Sequence, residues 1–176
     1  EPDEGFTVTL SNPSGNAEIG TSTATGTIQK DDPKLAIAPT SASQAEGDSG
    51  NTAFTFTVTR TGDTSGATTV DFAVTGTGGN PANAADFGGT LPSGTVSFGV
   101  GETSKVITTN VSGDTDVESD EGFTVTLSNP SGVAEIETAT ATGTIQNDDI
   151  DLAIAPTSAS KAEGDSGNTA FTFTVT

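Results

Sequence analysis

The densest run of acidic side chains is Asp114-Thr-Asp116-Val-Glu118-Ser-Asp120-Glu121. In an extended chain alternate residues point to one side, so Asp114, Asp116, Glu118 and Asp120 are expected to share a face. Unit charges about 4 Å apart repel by about 1 kcal/mol in water and about 4 kcal/mol at an effective dielectric of about 20. Such a face either stays fully solvated or holds a cation. Further carboxylates stand in turns far away in sequence: Glu46-Gly-Asp48, Asp86 after Asn80-Pro-Ala-Asn-Ala-Ala, and Asp148-Asp149. Hard oxygen donors at this density suit calcium, which accepts about six to eight of them in loose geometry; magnesium demands tighter geometry. Zinc is not expected, since the chain has no His and no Cys.

Other chemistries fit poorly. Counted from Asp114, the sixth residue is Ser119 instead of Gly and the twelfth is Val125 instead of Glu, so the run is not an EF-hand loop. Paired carboxylates can serve glycoside hydrolysis, yet there is no His, Tyr, Trp or Cys to support catalysis or hold a sugar. No enzymatic activity is expected. The absence of Cys also excludes thiol catalysis and disulfides. Twenty-four acids against five bases give a net charge of −19, which repels nucleic acid and anionic lipid. No apolar run of about 18 residues exists, so no membrane insertion by this segment is expected.

The elements that must position these acids come in repeats. Glu1–Thr59 returns as Glu118–Thr176, an offset of 117 residues, and only positions 2, 16, 20, 22, 30, 33, 34 and 44 differ. A period of this size is that of a whole domain. The chain therefore reads as the C-terminal part of one unit (1–32), a complete unit (33–149) and the N-terminal part of the next (150–176). With no Met and partial units at both ends, it reads as a segment of something longer. The complete unit carries 15 acids and three bases.

Phe54, Phe56 and Val58 alternate with Thr, as do Phe123, Val125 and Leu127; Val70, Phe72 and Val74, Val96 and Phe98, and Ile107 and Val111 keep the same period of two. Residues 139–146 read as extended too. This is the pattern of half-buried antiparallel strands. Turn signals separate them at 47–51, 61–66, 76–81, 91–94, 99–103 and 129–132. No stretch has helical periodicity. Seven or so strands in about 115 residues predict an all-β, immunoglobulin-like antiparallel sandwich. Outward Thr at 138, 140 and 142 is read as the ordinary solvent face of a strand.

The ordered set Glu46-Gly-Asp, Ala84-Ala-Asp86-Phe, Gly94-Thr-Val-Ser-Phe98, Gly101-Glu-Thr103, Asp116-Val-Glu118-Ser-Asp-Glu121, Leu127-Ser-Asn-Pro130 and Asn147-Asp-Asp149 resembles the Calx-β domain. The resemblance spans the complete unit, and the partial units match its two ends. It implies an immunoglobulin-like sandwich of a family found in sodium–calcium exchanger regulatory loops, an integrin subunit and large bacterial surface proteins. In calcium-binding members, ions cluster at the end next to the following domain. Carried over by position, the implied Ca2+ ligands are Glu46, Asp86, Asp114, Glu118, Asp148 and Asp149, with Asp120 or Glu121 assisting and Asp116 in the same run. The partial units carry their counterparts: Glu1, Asp3, Glu4, Asp31, Asp32 and Glu163. Where strong binders have a triple Asp, this chain reads Gly113-Asp114-Thr115 and Asn147-Asp148-Asp149. The implied ion count falls to roughly one to three.

The expected function is a calcium-binding structural or adhesive repeat of a large extracellular or cell-surface protein or fibre, with ions stiffening the junctions between units. Its partners would be neighbouring repeats and other copies of the chain in a fibre. The alternative is a calcium-sensing regulatory module of a membrane transporter or signalling protein.

Overall fold

A computed structural model describes residues 3–176, so Glu1 lies outside the described residues. In chain order the strands are β1 (Glu4–Thr9), β2 (Thr23–Ile28), β3 (Lys34–Ala38), β4 (Ser41–Ala45), β5 (Gly50–Thr61), β6 (Thr68–Thr77), β7 (Ser93–Phe98), β8 (Ser104–Gly113), β9 (Glu121–Ser128), β10 (Glu135–Thr138), β11 (Thr140–Gln146), β12 (Ile154–Ala155) and β13 (Thr174–Val175). Among the described residues a single 3-10 turn, Ala85–Phe87, interrupts the all-β pattern.

Strands β3 to β11 form two packed sheets, ordered β10-β3-β5-β8 and β4-β11-β9-β6-β7. The inward residues of the alternating strands make the core: Phe54, Phe56 and Val58 of β5, Ile107 and Val111 of β8, Val70 and Val74 of β6, and Phe123, Val125 and Leu127 of β9. Phe123 meets Phe54 edge-on at 5.2 Å between ring centres, and Phe87 at 5.4 Å. Burying each such side chain stabilises the fold by about 1.5–3 kcal/mol.

Two features depart from a purely antiparallel reading. The first segment changes sheets at Ala38-Pro39, leaving β3 in one sheet and β4 in the other; β10 and β11 divide in the same way. As a result β10 pairs with β3 and β11 with β4 in parallel. Of these, β3, β4 and β10 are short and carry too few alternating apolar residues to announce themselves by periodicity, whereas β11 falls within the 139–146 stretch read as extended. The 114–120 segment is irregular. It is a loop instead of the extended run expected, and the Asp116 N–H donates to Asp114 Oδ1 at 2.8 Å within it.

The pole where β3 begins is closed by Arg60, which is 1% exposed. Its five N–H groups reach the carbonyls of Glu102, Gly66, Thr64 and Gly99 and the hydroxyl of Thr68, and its guanidinium lies over the Phe98 ring. Every donor of the buried cation is thereby satisfied. The 99–103 and 62–66 turns are fixed to one another.

Candidate metal centre

The opposite pole collects the acids. Glu46 follows β4 directly, and its N–H donates to the carbonyl of Gln146 at 3.3 Å, placing it beside the end of β11. There the carboxylate oxygens of Glu46, Asp148 and Asp149 come within 4.8 Å of one another. Asp148 Oδ1 also accepts from the Gly47 N–H at 3.1 Å. In a second trio, Asp86, Glu118 and Glu121, the carboxylate oxygens likewise lie within 4.8 Å of one another. Asp86 is delivered by the 3-10 turn: its Oδ2 accepts from the Asn83 N–H at 2.6 Å, while Asn83 Oδ1 accepts from the Ala85 N–H at 2.9 Å. Phe87, packed against Phe123, anchors that turn to the core.

Electrostatics reveal how crowded the pole is. Burial pushes the Glu46 carboxyl up to about 7, and the charges of Asp114, Glu118, Asp86 and Asp148 add to it. Burial likewise pushes Glu121 up to about 7, aided by a hydrogen bond shared with Asp86. Glu118 and Asp149 are raised as well, chiefly by burial and then by neighbouring carboxylates, Asp114 foremost for Glu118 and Asp48 for Asp149. Asp149 Oδ2 is buried with no hydrogen-bond partner. A buried carboxylate oxygen left unpaired is costly, and the neighbouring charges that act most on these four groups are all carboxylates. An all-oxygen donor set of this kind fits a hard divalent cation such as Ca2+.

The remaining sequence-predicted residues take other places. Asp114 raises both Glu46 and Glu118, so it faces both trios, though it closes neither. Asp116 influences Glu118 and Asp149 from the loop above. Asp120 joins neither trio among the described residues, and its Oδ1 accepts from the Asn147 N–H at 3.2 Å. Asp3, the counterpart of Asp120, accepts from the Lys30 N–H at 2.7 Å. Glu4, Asp31, Asp32 and Glu163 join no trio among the described residues. Residues 1–32 and 150–176 each hold only part of the set that a pole needs.

A family model of the Calx-beta domain matches residues 29–149. The chain belongs to the Calx-beta domain family. Among solved structures, this Calx-beta chain is similar to the apo form of the Calx CBD1 domain at 26% identity and TM-score 0.57, covering 66% of this chain and 98% of that one. It is similar to CBD12 from CALX1.2 at 26% identity and TM-score 0.58, covering 66% of this chain and 46% of that one. The calcium binding domain CBD12 of CALX1.1 is 28% identical with TM-score 0.53, covering 65% and 44%. No curated protein matched the sequence.

Two residues of this Calx-beta domain matter beyond the predicted set. Asp48 acts on Asp149, and its place in the Glu46-Gly-Asp48 turn was its only sequence signal. Asn147 supports the loop: its Oδ1 accepts from the Glu118 N–H at 3.1 Å and its Nδ2 donates to the Asp149 carbonyl at 3.0 Å. Gly113 explains one absent carboxylate. A Cβ there would lie 1.9 Å from the Gly47 carbonyl oxygen, so no side chain fits without moving the backbone that carries Glu46.

Proposed function

We propose that the 33–149 unit is a calcium-binding, non-catalytic module that takes roughly one to three ions at its acidic pole. The observation that carries this reading is the buried, unpartnered Asp149 Oδ2 within the Glu46, Asp148 and Asp149 trio. Calcium would be held there by Glu46, Asp148 and Asp149, and beside it by Asp86, Glu118 and Glu121, supplying the positive charge that the pole lacks. Binding would displace the protons held by Glu46 and Glu121.

The likeness to Calx calcium binding domains supports a calcium-sensing regulatory module within a larger protein. A second reading has its own observation. The near-identity of residues 1–59 and 118–176 favours a structural or adhesive array with ions at its junctions, outside the cell and with neighbouring repeats as partners. Among the described residues no helix is long and apolar enough to cross a membrane.

Thermal unfolding and calorimetric titration of the full chain test the proposal. Ligand that binds only the folded state raises stability by about 2.7 kcal/mol at a hundredfold excess over Kd. Glu46→Gln should remove most of that gain, whereas Glu163→Gln, its counterpart in the last segment, should leave it intact. No stabilisation in millimolar calcium would refute the ligand assignment. A Kd of about 10⁻⁷–10⁻⁵ M belongs to sensors and about 10⁻⁴–10⁻³ M to extracellular modules, so the affinity separates the two readings.

A further inference from the structure

The two segments that follow a last strand differ in an informative way. One is Lys30-Asp31-Asp32-Pro33-Lys34, the other Asn147-Asp148-Asp149-Ile150-Asp151. Three of the eight differences between the repeated stretches fall within these five residues. Their backbones begin alike, with the Lys30 and Asn147 N–H groups donating to Asp3 and Asp120 respectively. Their side chains then diverge. Asn147 turns back onto its own unit, bonding the Glu118 N–H and the Asp149 carbonyl. Lys30 reaches forward, placing Nζ 2.6 Å from Glu135 Oε1 of the following unit and 3.6 Å from Asp32 Oδ2. Asp32 is the counterpart of Asp149.

The receiving surface is already built. Strand β10 presents Glu135 and Glu137, and Lys34 Nζ lies 2.8 Å from Glu137 Oε1. The Glu135 N–H donates to the Pro33 carbonyl at 2.9 Å, and the Asp63 N–H donates to the Asp31 carbonyl at 2.5 Å. Asp63 belongs to the 62–66 turn that Arg60 holds from within. Gly62 lets the segment approach closely, since a Cβ there would sit 2.3 Å from the Asp32 carbonyl oxygen. Mutual hydrogen bonding raises the Lys30 ammonium and lowers the Glu135 carboxyl from their ordinary values, so both stay ionised at neutral pH.

We propose that the 30–34 junction is a lysine latch: Lys30 and Lys34 dock it onto β10, which holds the Asp31 carbonyl against the Asp63 N–H of the 62–66 turn, and it closes without a metal ion. Its counterpart at 147–151 has neither lysine and gains the negative charge of Asp151. A chain alternating such segments carries hinges of two kinds, one fixed by its own ammonium groups and one left to an external cation. The second half of that contrast rests on the calcium reading; the latch does not.

The test is amide exchange at the Asp63 N–H in the full chain, in buffer containing EGTA, with the β5 and β8 amides as an internal control for folding. Wild type should be protected in EGTA, and adding calcium should not change it. K30N/K34D should exchange roughly threefold to tenfold faster, as expected for losing two partly exposed ion pairs. K30E should behave likewise, and K30E/E135K should restore most of the protection. Unchanged exchange in K30N/K34D, no rescue by the double reversal, or wild-type protection that appears only with calcium would each overturn the latch. A failure of calcium to stabilise the central unit would leave it standing.

Discussion

The β1–β2 hairpin and the β9–β11 pair are near-copies that meet different fates. Phe6 pairs with Gly26 as Phe123 pairs with Gly143, and Glu4 with Ile28 as Glu121 with Ile145, so the register is the same. In β9 and β11, Phe123, Val125 and Ile145 are buried. In the hairpin their counterparts Phe6, Val8 and Ile28 are 52%, 55% and 56% exposed. The contrast separates two levels of information. The same local sequence keeps the same strand pairing and register in both settings, with a glycine opposite each Phe. Burial needs β5, β6 and the 3-10 turn, which only the complete unit provides. The acidic pole obeys the same division: residues 3–32 carry counterparts of Asp120, Glu121, Asp148 and Asp149, but none of Glu46 or Asp86.

The largest expected split is between the two phenylalanines. Phe123→Ala should lower the unfolding free energy by about 3–5 kcal/mol in a urea titration, the range for emptying a packed aromatic site. Phe6→Ala should change it by about 0.5 kcal/mol or less. Equal losses would mean that something covers the hairpin in solution, and the comparison would fail. The glycines sharpen it further. A Cβ on Gly143 would sit 2.0 Å from the enclosed Phe123 ring, and one on Gly26 would sit 2.4 Å from the Phe6 ring. Gly143→Ala should cost about 1–3 kcal/mol by overpacking. Gly26→Ala should cost less than about 1 kcal/mol, because the exposed ring can swing aside.

A further contrast concerns protons. Glu46 and Glu121 titrate near 7 when folded, against an ordinary value of 4.5. Between those values these two carboxyls hold more protons in the folded chain than in the unfolded one, so the stability they contribute is fully present below about pH 4.5 and is lost as pH rises through 7. In chelator the slope should approach about 1.4 kcal/mol per pH unit for each proton involved. Glu46→Gln should flatten it, while Glu163→Gln, exposed in the last segment, should not. A pH-independent midpoint between 5 and 7 would contradict the crowding at this pole.

Much of the fold was legible because alternating Phe, Val and Thr make a period of two that tertiary contacts then reward. The divided outer strands were not, since β3, β4 and β10 are short and their pairing is decided by partners about 100 residues away. The acids at 46, 86, 118, 148 and 149 were legible as types in turns, but spacing alone did not group them; the family resemblance did. Their grouping depends on Phe87 pinning the Asp86 turn to Phe123, while Asp120 accepts from the Asn147 N–H. Alternation reads 114–120 as extended, whereas the segment is a loop in which the Asp116 N–H donates to the Asp114 side chain.

The parallel pairing of β4 with β11 has a mechanical meaning. A pull transmitted along the chain enters ahead of β3 and leaves after β11, so these neighbouring strands are drawn lengthwise past each other. All five of their register pairs, Ser41 with Thr142 through Ala45 with Gln146, bear the load together instead of opening one at a time. Glu46 and Asp148-Asp149 are the residues that continue from the two strand ends at the acidic pole. An ion shared by them would rivet the shear joint at its loaded end, making resistance to tension, as well as folding stability, a function of dissolved calcium.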